Sequence, residues 1–354
     1  MTGVRRLARQ PRFISYSSIG GYEESRGPIG EALDLTDRTD RFGQKTWELA
    51  EGEMGRRVMN AALARGRLSH EELGLLVAGD LQNQCVASTV GLDSFGIPYL
   101  GVYGACSTCT EALLILSSML SEGFTETGAA VTTSHNAAAE RQFRTPMEYG
   151  AQRTPSAQWT ATAGGAFILS TDEELISRSE LGCVAVTEVM AGRIVDGATT
   201  DASNMGGAMS FAAADTVLRY FKESGRSPSE LDLIVTGDLG RVGSDILEEI
   251  LGDKLPAAAP RHMDCGLMLY DMKRRDVHSG ASGCGTSAAV LAAKLLPALE
   301  RGELRRILFL STGALMSPSS VLQGQTIRAV APAILLTHID KKGKGGTPYR
   351  GIII

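Results

Sequence analysis

The feature that most constrains this chain is that it contains itself twice. Residues 69–81 read SHEELGLLVAGDL and residues 227–239 read SPSELDLIVTGDL, in ungapped register. Ser69 matches Ser227, Glu72 matches Glu230, and both stretches end on Gly-Asp-Leu (Asp80, Asp238). Ser and Glu three residues apart satisfy each other's backbone donors at the start of a helical turn. The Leu/Val/Ile run that follows has the composition of a strand covered on both faces. Each copy follows an amphipathic stretch, with Trp47, Met54, Val58 and Ala61 near one stripe in the first and Val217, Leu218 and Phe221 in the second.

A second unit is also duplicated. Residues 104–116 (GACSTCTEALLIL) align with 282–294 (SGCGTSAAVLAAK), placing Cys106 on Cys284 and Thr108 on Thr286. Each reads as a tight small-residue turn opening into an apolar helix. Further strands are expected at 129–135 and 164–170 in the first half, and at 306–313 and 331–337 in the second. Type, order and spacing agree, so the chain is read as two βαβαβ halves, residues 1–178 and 179–354. The tail KKGKGGTPYR reads as a turn or linker and the final GIII as a short closing strand.

Composition narrows the function classes. Over 354 residues, 43% are hydrophobic and 21% charged, and the net charge is −5, so a broad nucleic-acid-binding face is not expected. No apolar run approaches the roughly 18 residues of a membrane span, and no secretory signal is read at the start. The six cysteines (Cys85, Cys106, Cys109, Cys183, Cys265, Cys284) form no paired Cys-x-x-Cys motif, so free thiols and no metal site or cofactor are expected.

Duplicated βαβαβ halves with a cysteine at a strand-to-helix turn resemble the thiolase and condensing-enzyme superfamily, an α/β fold layered α-β-α-β-α. Six motifs narrow the resemblance: FGQKTWELAE, LLVAGDLQNQ, YGACSTCTEAL, TSHNAAAERQFRTPMEYG, MDCGLMLYD and FLSTGALMSP. Together they look like the stage V sporulation protein AD family of spore-forming bacteria. The resemblance implies binding of dipicolinic acid (pyridine-2,6-dicarboxylate), free or as its calcium chelate, in sporulation and spore germination. It also implies a homodimer, membrane-protein partners of the same complex, and a place at the surface of the forespore inner membrane.

Candidate site residues follow from strand ends and helix mouths, where open α/β sheets place ligands. Cys106, Ser107 and Thr108 stand at a helix mouth that favours an anion or a thiolate. In condensing enzymes the matching cysteine accepts an acyl group, so an acyltransferase using Cys106 is the alternative function. Those enzymes carry His at the end of the strand matching Leu231–Val235 and Asn in the turn matching 282–286. Here the places read Val235-Thr236-Gly237-Asp238 and Ser282-Gly283-Cys284-Gly285-Thr286. Without imidazole or amide there, acyl chemistry loses its proton acceptor and oxyanion donor, and a non-catalytic binding protein is expected. Cys284 is only a partial substitute for the late cysteine of thiolases. His262 is a candidate base or a surface histidine. His135, Arg141 and Arg144 follow a strand and suit a dicarboxylate, although Glu140 and Arg144 at i, i+4 also make an ordinary surface pair. Asp80 and Asp238 either orient such groups, approach a calcium ion, or cap the following segment. Asn83 adds a neutral donor beside Asp80.

Overall fold

In the computed structural model the described residues are 3–143, 153–256, 260–273 and 277–340. Arg144, the 341–350 tail and the closing GIII fall outside them. Ten strands build the main sheet: β1 (Arg12–Gly20), β2 (Leu75–Gly79), β3 (Tyr99–Gly101), β4 (Thr127–Ser134), β5 (Ala163–Ser170), β6 (Val184–Met190), β7 (Leu233–Thr236), β8 (Arg261–Asp264), β9 (Arg306–Leu310) and β10 (Ala333–His338). Val4–Arg6 and Leu35–Thr36 pair at its margins. The order is β8-β7-β9-β10-β6-β1-β5-β4-β2-β3. Both halves use the same order counted from their own first strand. In each, the three strands farthest from the centre are parallel and the two nearest it antiparallel. Arg12 paired to Ala185 joins the halves.

In this order each half therefore contributes two strands more than the expected βαβαβ. The opening strand β1 reads RFISYSSIG, and its serines dilute the apolar signal. They are accommodated because Ser15 Oγ donates to the Ala62 carbonyl at 2.6 Å and the Ser18 hydroxyl bonds the Asp34 carboxylate at 2.9 Å. Its counterpart β6 is interrupted by Thr187 and Glu188. The short outer strands β3 and β8 lie beyond the repeat.

The seven helices named here are α1 (Trp47–Gly66), α2 (Val86–Leu92), α3 (Thr108–Ser121), α4 (Asn136–Phe143), α5 (Met205–Ser224), α6 (Gly240–Gly252) and α7 (Cys284–Val290). Strand alternation sorts side chains into layers. Leu75, Val77, Leu233, Val235, Ile307 and Phe309 point into one central core with α3 and α7. Leu76 and Ala78 face α1. Ile234, Leu308 and Leu310 face α5 and α6. Helix α3 touches strands of both halves, while α7 packs on β1, β4 and β5 of the opposite half. This is the layered architecture that the thiolase resemblance implies. Both capping boxes form, at Ser69/Glu72 and Ser227/Glu230, on single 3₁₀ turns. Gly225 ends α5 in the left-handed conformation (φ +72°). Among the described residues no helix is long and apolar enough to cross a membrane.

Candidate functional site

The turn before α3 builds the floor of the site. Ala105 sits at φ +54°, a conformation that costs a residue with a Cβ and persists only where neighbours impose it. Ser107 Oγ lies within hydrogen-bond distance of the Gly104 carbonyl oxygen (2.6 Å) and of Glu111 Oε1 (2.5 Å). Thr108 Oγ1 accepts from Gly104 N–H (3.1 Å) and donates to the Ala105 carbonyl (2.7 Å). With those side chains consumed by the turn, Cys106 alone of the three turns toward open space.

That space is a cavity of about 770 Å³, within the usual range for small-molecule sites. Cys106, Tyr103, Glu140, Phe143 and Arg153 line it from the first half, and Ser282, Met205, Met316 and Arg328 from the second. Ser282 is carried in by a two-residue parallel pairing, Trp159–Thr160 against Ala281–Ser282. The Arg153 guanidinium lies 4.5 Å over the Trp159 ring and 3.6 Å from the Glu140 carboxylate. Arg328 meets Asp196 at 3.2 Å.

Behind the thiol stands Asp238, at the end of β7 and 1% exposed. Its Oδ2 accepts Gly283 N–H (2.8 Å) and Ser282 Oγ–H (3.3 Å), and its Oδ1 accepts from Thr312 (3.4 Å). The Cys106 sulfur is 3.8 Å from Ser282 Oγ. Burial, and then the Asp238 charge, push the Cys106 thiol well above its ordinary range, so it stays protonated. Burial pushes the Asp238 carboxyl up to about 7. An acid and a hydroxyl thus stand directly against the thiol. The thiol is held neutral, the reverse of what an acyl acceptor needs.

The other candidates that are described do not line this cavity. His135 is buried, with Nε2 2.8 Å from the Asp40 carbonyl oxygen and its ring 5.4 Å from Trp47. Arg141 is exposed and pairs with Glu48 at 2.7 Å, an ordinary surface contact. His262 lies on β8 at a separate pocket, between Thr236 Oγ1 (2.8 Å) and Glu248 (3.1 Å). Asp80 accepts Gln82 N–H and both donors of Ser88, which makes it the cap of the segment after its strand. Asn83 bonds the hydroxyl of Tyr103 at 3.0 Å, one residue back from the rim. Cys284 is buried and donates to the Thr133 carbonyl (3.1 Å).

Sequence reasoning weighed Asp238 but did not place it at Cys106, and it passed over Ser282, Arg153 and Arg328. Alignment of Ser282 with Gly104 in the duplicated turn was a usable signal. Arg153 sits in a loop and Arg328 opens a three-residue strand, Arg328–Val330, too short to carry a pattern. Among the described residues no group of three or more His, Cys, Asp or Glu side chains is arranged to hold a metal.

The model of the family described as Stage V sporulation protein AD matches residues 3–337. The chain is 38% identical over 326 residues to the Stage V sporulation protein AD of Bacillus subtilis (strain 168), covering 92% of this chain and 94% of that relative. Solved structures share its fold at low identity. Cerulenin-bound OleA of Xanthomonas campestris has a TM-score of 0.57 at 16% identity, over 94% of this chain and 99% of that one. The 3-oxoacyl-[acyl-carrier-protein] synthase III of Aquifex aeolicus VF5 has a TM-score of 0.54 at 15% identity, over 92% and 99%.

Proposed function

The chain belongs to the stage V sporulation protein AD family, a sporulation family with a thiolase-like fold, and from that membership we propose that its cavity binds dipicolinic acid without catalysing acyl transfer. The observation that carries this reading is the environment of Cys106. Burial and the Asp238 charge hold the thiol far above its ordinary range, and among the described residues no histidine lines the cavity to draw its proton away. The space above it suits a small planar dianion, with guanidinium groups for carboxylates and Phe143 and Met316 for a ring. Uptake of that ligand into the developing spore, with membrane partners of the same complex at the forespore inner membrane, completes the proposal. Pairing of two copies is supported by the outer strand β3, which among the described residues is an unpaired sheet edge and on which Leu100 is 41% exposed.

Calorimetric titration with dipicolinate is expected to saturate. Arg153→Ala is expected to weaken binding at least about tenfold, the scale of one lost charge-assisted contact. His262→Ala is expected to leave affinity unchanged, because its imidazole serves the other pocket. Absence of saturable binding removes the proposal. The acyltransferase reading predicts a Cys106 adduct with acyl-CoA donors, whereas a single unmodified intact mass is the outcome expected here.

A further inference from the structure

An anion-binding cavity with a buried carboxyl in its floor presents an electrostatic problem. Asp238 is 1% exposed, and among the described residues no cation pairs with it. Its carboxylate form would repel an entering dianion from behind Cys106. It would also hold the Ser282 hydroxyl turned inward, since Ser282 Oγ–H donates to Asp238 Oδ2 in that form. Ser282 lines the cavity itself and lies 3.8 Å from the Cys106 sulfur. A proton on Asp238 changes both facts at once. The repulsion disappears, and the acid can donate to Ser282 Oγ, leaving the serine hydrogen to point at whatever occupies the cavity.

We propose that ligand entry is coupled to uptake of one proton at Asp238, which frees the Ser282 hydroxyl to donate to the bound carboxylate. Asp238 is thereby a positioning residue acting through Ser282. The proposal rests on the ligand-binding reading and deepens it. The groups facing Asp238 are consistent with such coupling. Burial and the nearby Asp264 charge favour the protonated acid, while bonds from Cys106, the Gly283 N–H and Ser282 favour the carboxylate, and Thr312 completes the shell. Of the charged cavity residues, Glu140 is offset by Arg153 and Arg328 by Asp196. The carboxyl of Asp238 is pushed up to about 7, so near neutrality the empty site is poised between its two forms.

The sign follows from linkage. A bound dianion raises the proton affinity of Asp238 further. Below about pH 7 the acid already carries its proton and affinity is flat. Above it, each ligand must bring a proton in, and affinity falls toward roughly tenfold per pH unit. Dipicolinate titrations from about pH 6 to about pH 9, in buffers of different ionisation enthalpy, read the proton count directly. Uptake approaching one proton per ligand on the alkaline side is expected. Asp238→Asn, which imitates the protonated acid, should bind with a flat profile and exceed the parent protein at the alkaline end. Ser282→Ala should weaken binding several-fold below neutrality, where the freed hydroxyl contributes.

Binding with no proton uptake in the parent protein overturns the proposal while leaving the ligand reading intact. So does uptake that persists in Asp238→Asn. The parent-protein proton count stands alone if that variant does not fold. Repeating the titration with calcium separates a competing source of positive charge: a requirement for calcium with no proton taken up also overturns it. Failure to bind dipicolinate under any condition removes both readings.

Discussion

Glu188→Ala is expected to lower the unfolding free energy by about 3–5 kcal/mol, the range for breaking a buried ion pair by removing one partner. Glu188 lies in β6 and is 1% exposed. Its Oε1 accepts two bonds from Arg226 (2.7 and 3.1 Å), and its Oε2 accepts the Tyr220 hydroxyl at 2.7 Å. Tyr220 comes from α5 and Arg226 from the cap that starts the second copy of the repeat. One carboxylate thus ties together a central strand, an outer helix and the entry to β7. Alanine leaves a phenol hydroxyl buried and a guanidinium with Glu230 at 2.9 Å as its remaining acid. Glu188→Gln, which keeps the acceptor oxygen and discards the charge, should cost markedly less. Urea denaturation with both variants reads the difference. Equal losses would mean that packing rather than charge pairing holds this joint.

The second large effect is expected at the junction of the halves. Gly285 lies in the first turn of α7, packed on β5. A Cβ there would sit 2.1 Å from the Ala163 carbonyl oxygen and 2.6 Å from Ser134 Oγ. The first obstacle is backbone and cannot swing aside, so Gly285→Ala must push α7 off the opposite sheet. A loss of about 3 kcal/mol is expected, the upper range for overpacking. Ser282 and the Asp238–Gly283 contact precede the same turn, so dipicolinate affinity should fall with stability. Gly252→Ala, where a Cβ meets nothing within 4 Å, is the matched control. It is expected to be neutral or slightly stabilising by restricting the unfolded chain. A Gly285→Ala protein with the parent's thermal midpoint would show that the halves are not in tight contact at α7.

Much of the architecture was legible because its causes are local. The capping boxes at Ser69 and Ser227 need partners only three residues away. The runs at 75–79 and 233–236 alternate between two cores because successive strand residues face opposite ways. Strand β1 was not legible, since three of its nine residues are serines whose hydroxyls find partners only after folding.

The candidate site was legible only at Cys106, through its small-residue turn. His135 looked available and is consumed by the Asp40 backbone and Trp47. Arg141 looked like a carboxylate partner and is held by Glu48 of α1. Arg153 reaches the cavity from a loop and Arg328 from a three-residue strand, neither long enough to show a pattern.

Asp80 and Asp238 make the division plain. By itself the sequence determined that the chain is two copies of one unit and that each copy ends its strand on an acid, because periodicity and capping are short-range. Only the tertiary structure decided their different tasks. Asp80 has Ser88 eight residues along to take its oxygens, so its bonding closes within the same segment. Asp238 finds no such neighbour and turns to Gly283, Ser282 and Thr312, delivered by other elements of its half, against a thiol from the opposite half. Identical motifs diverge because a buried carboxyl must be satisfied by whatever donors packing brings to it, and that packing is long-range.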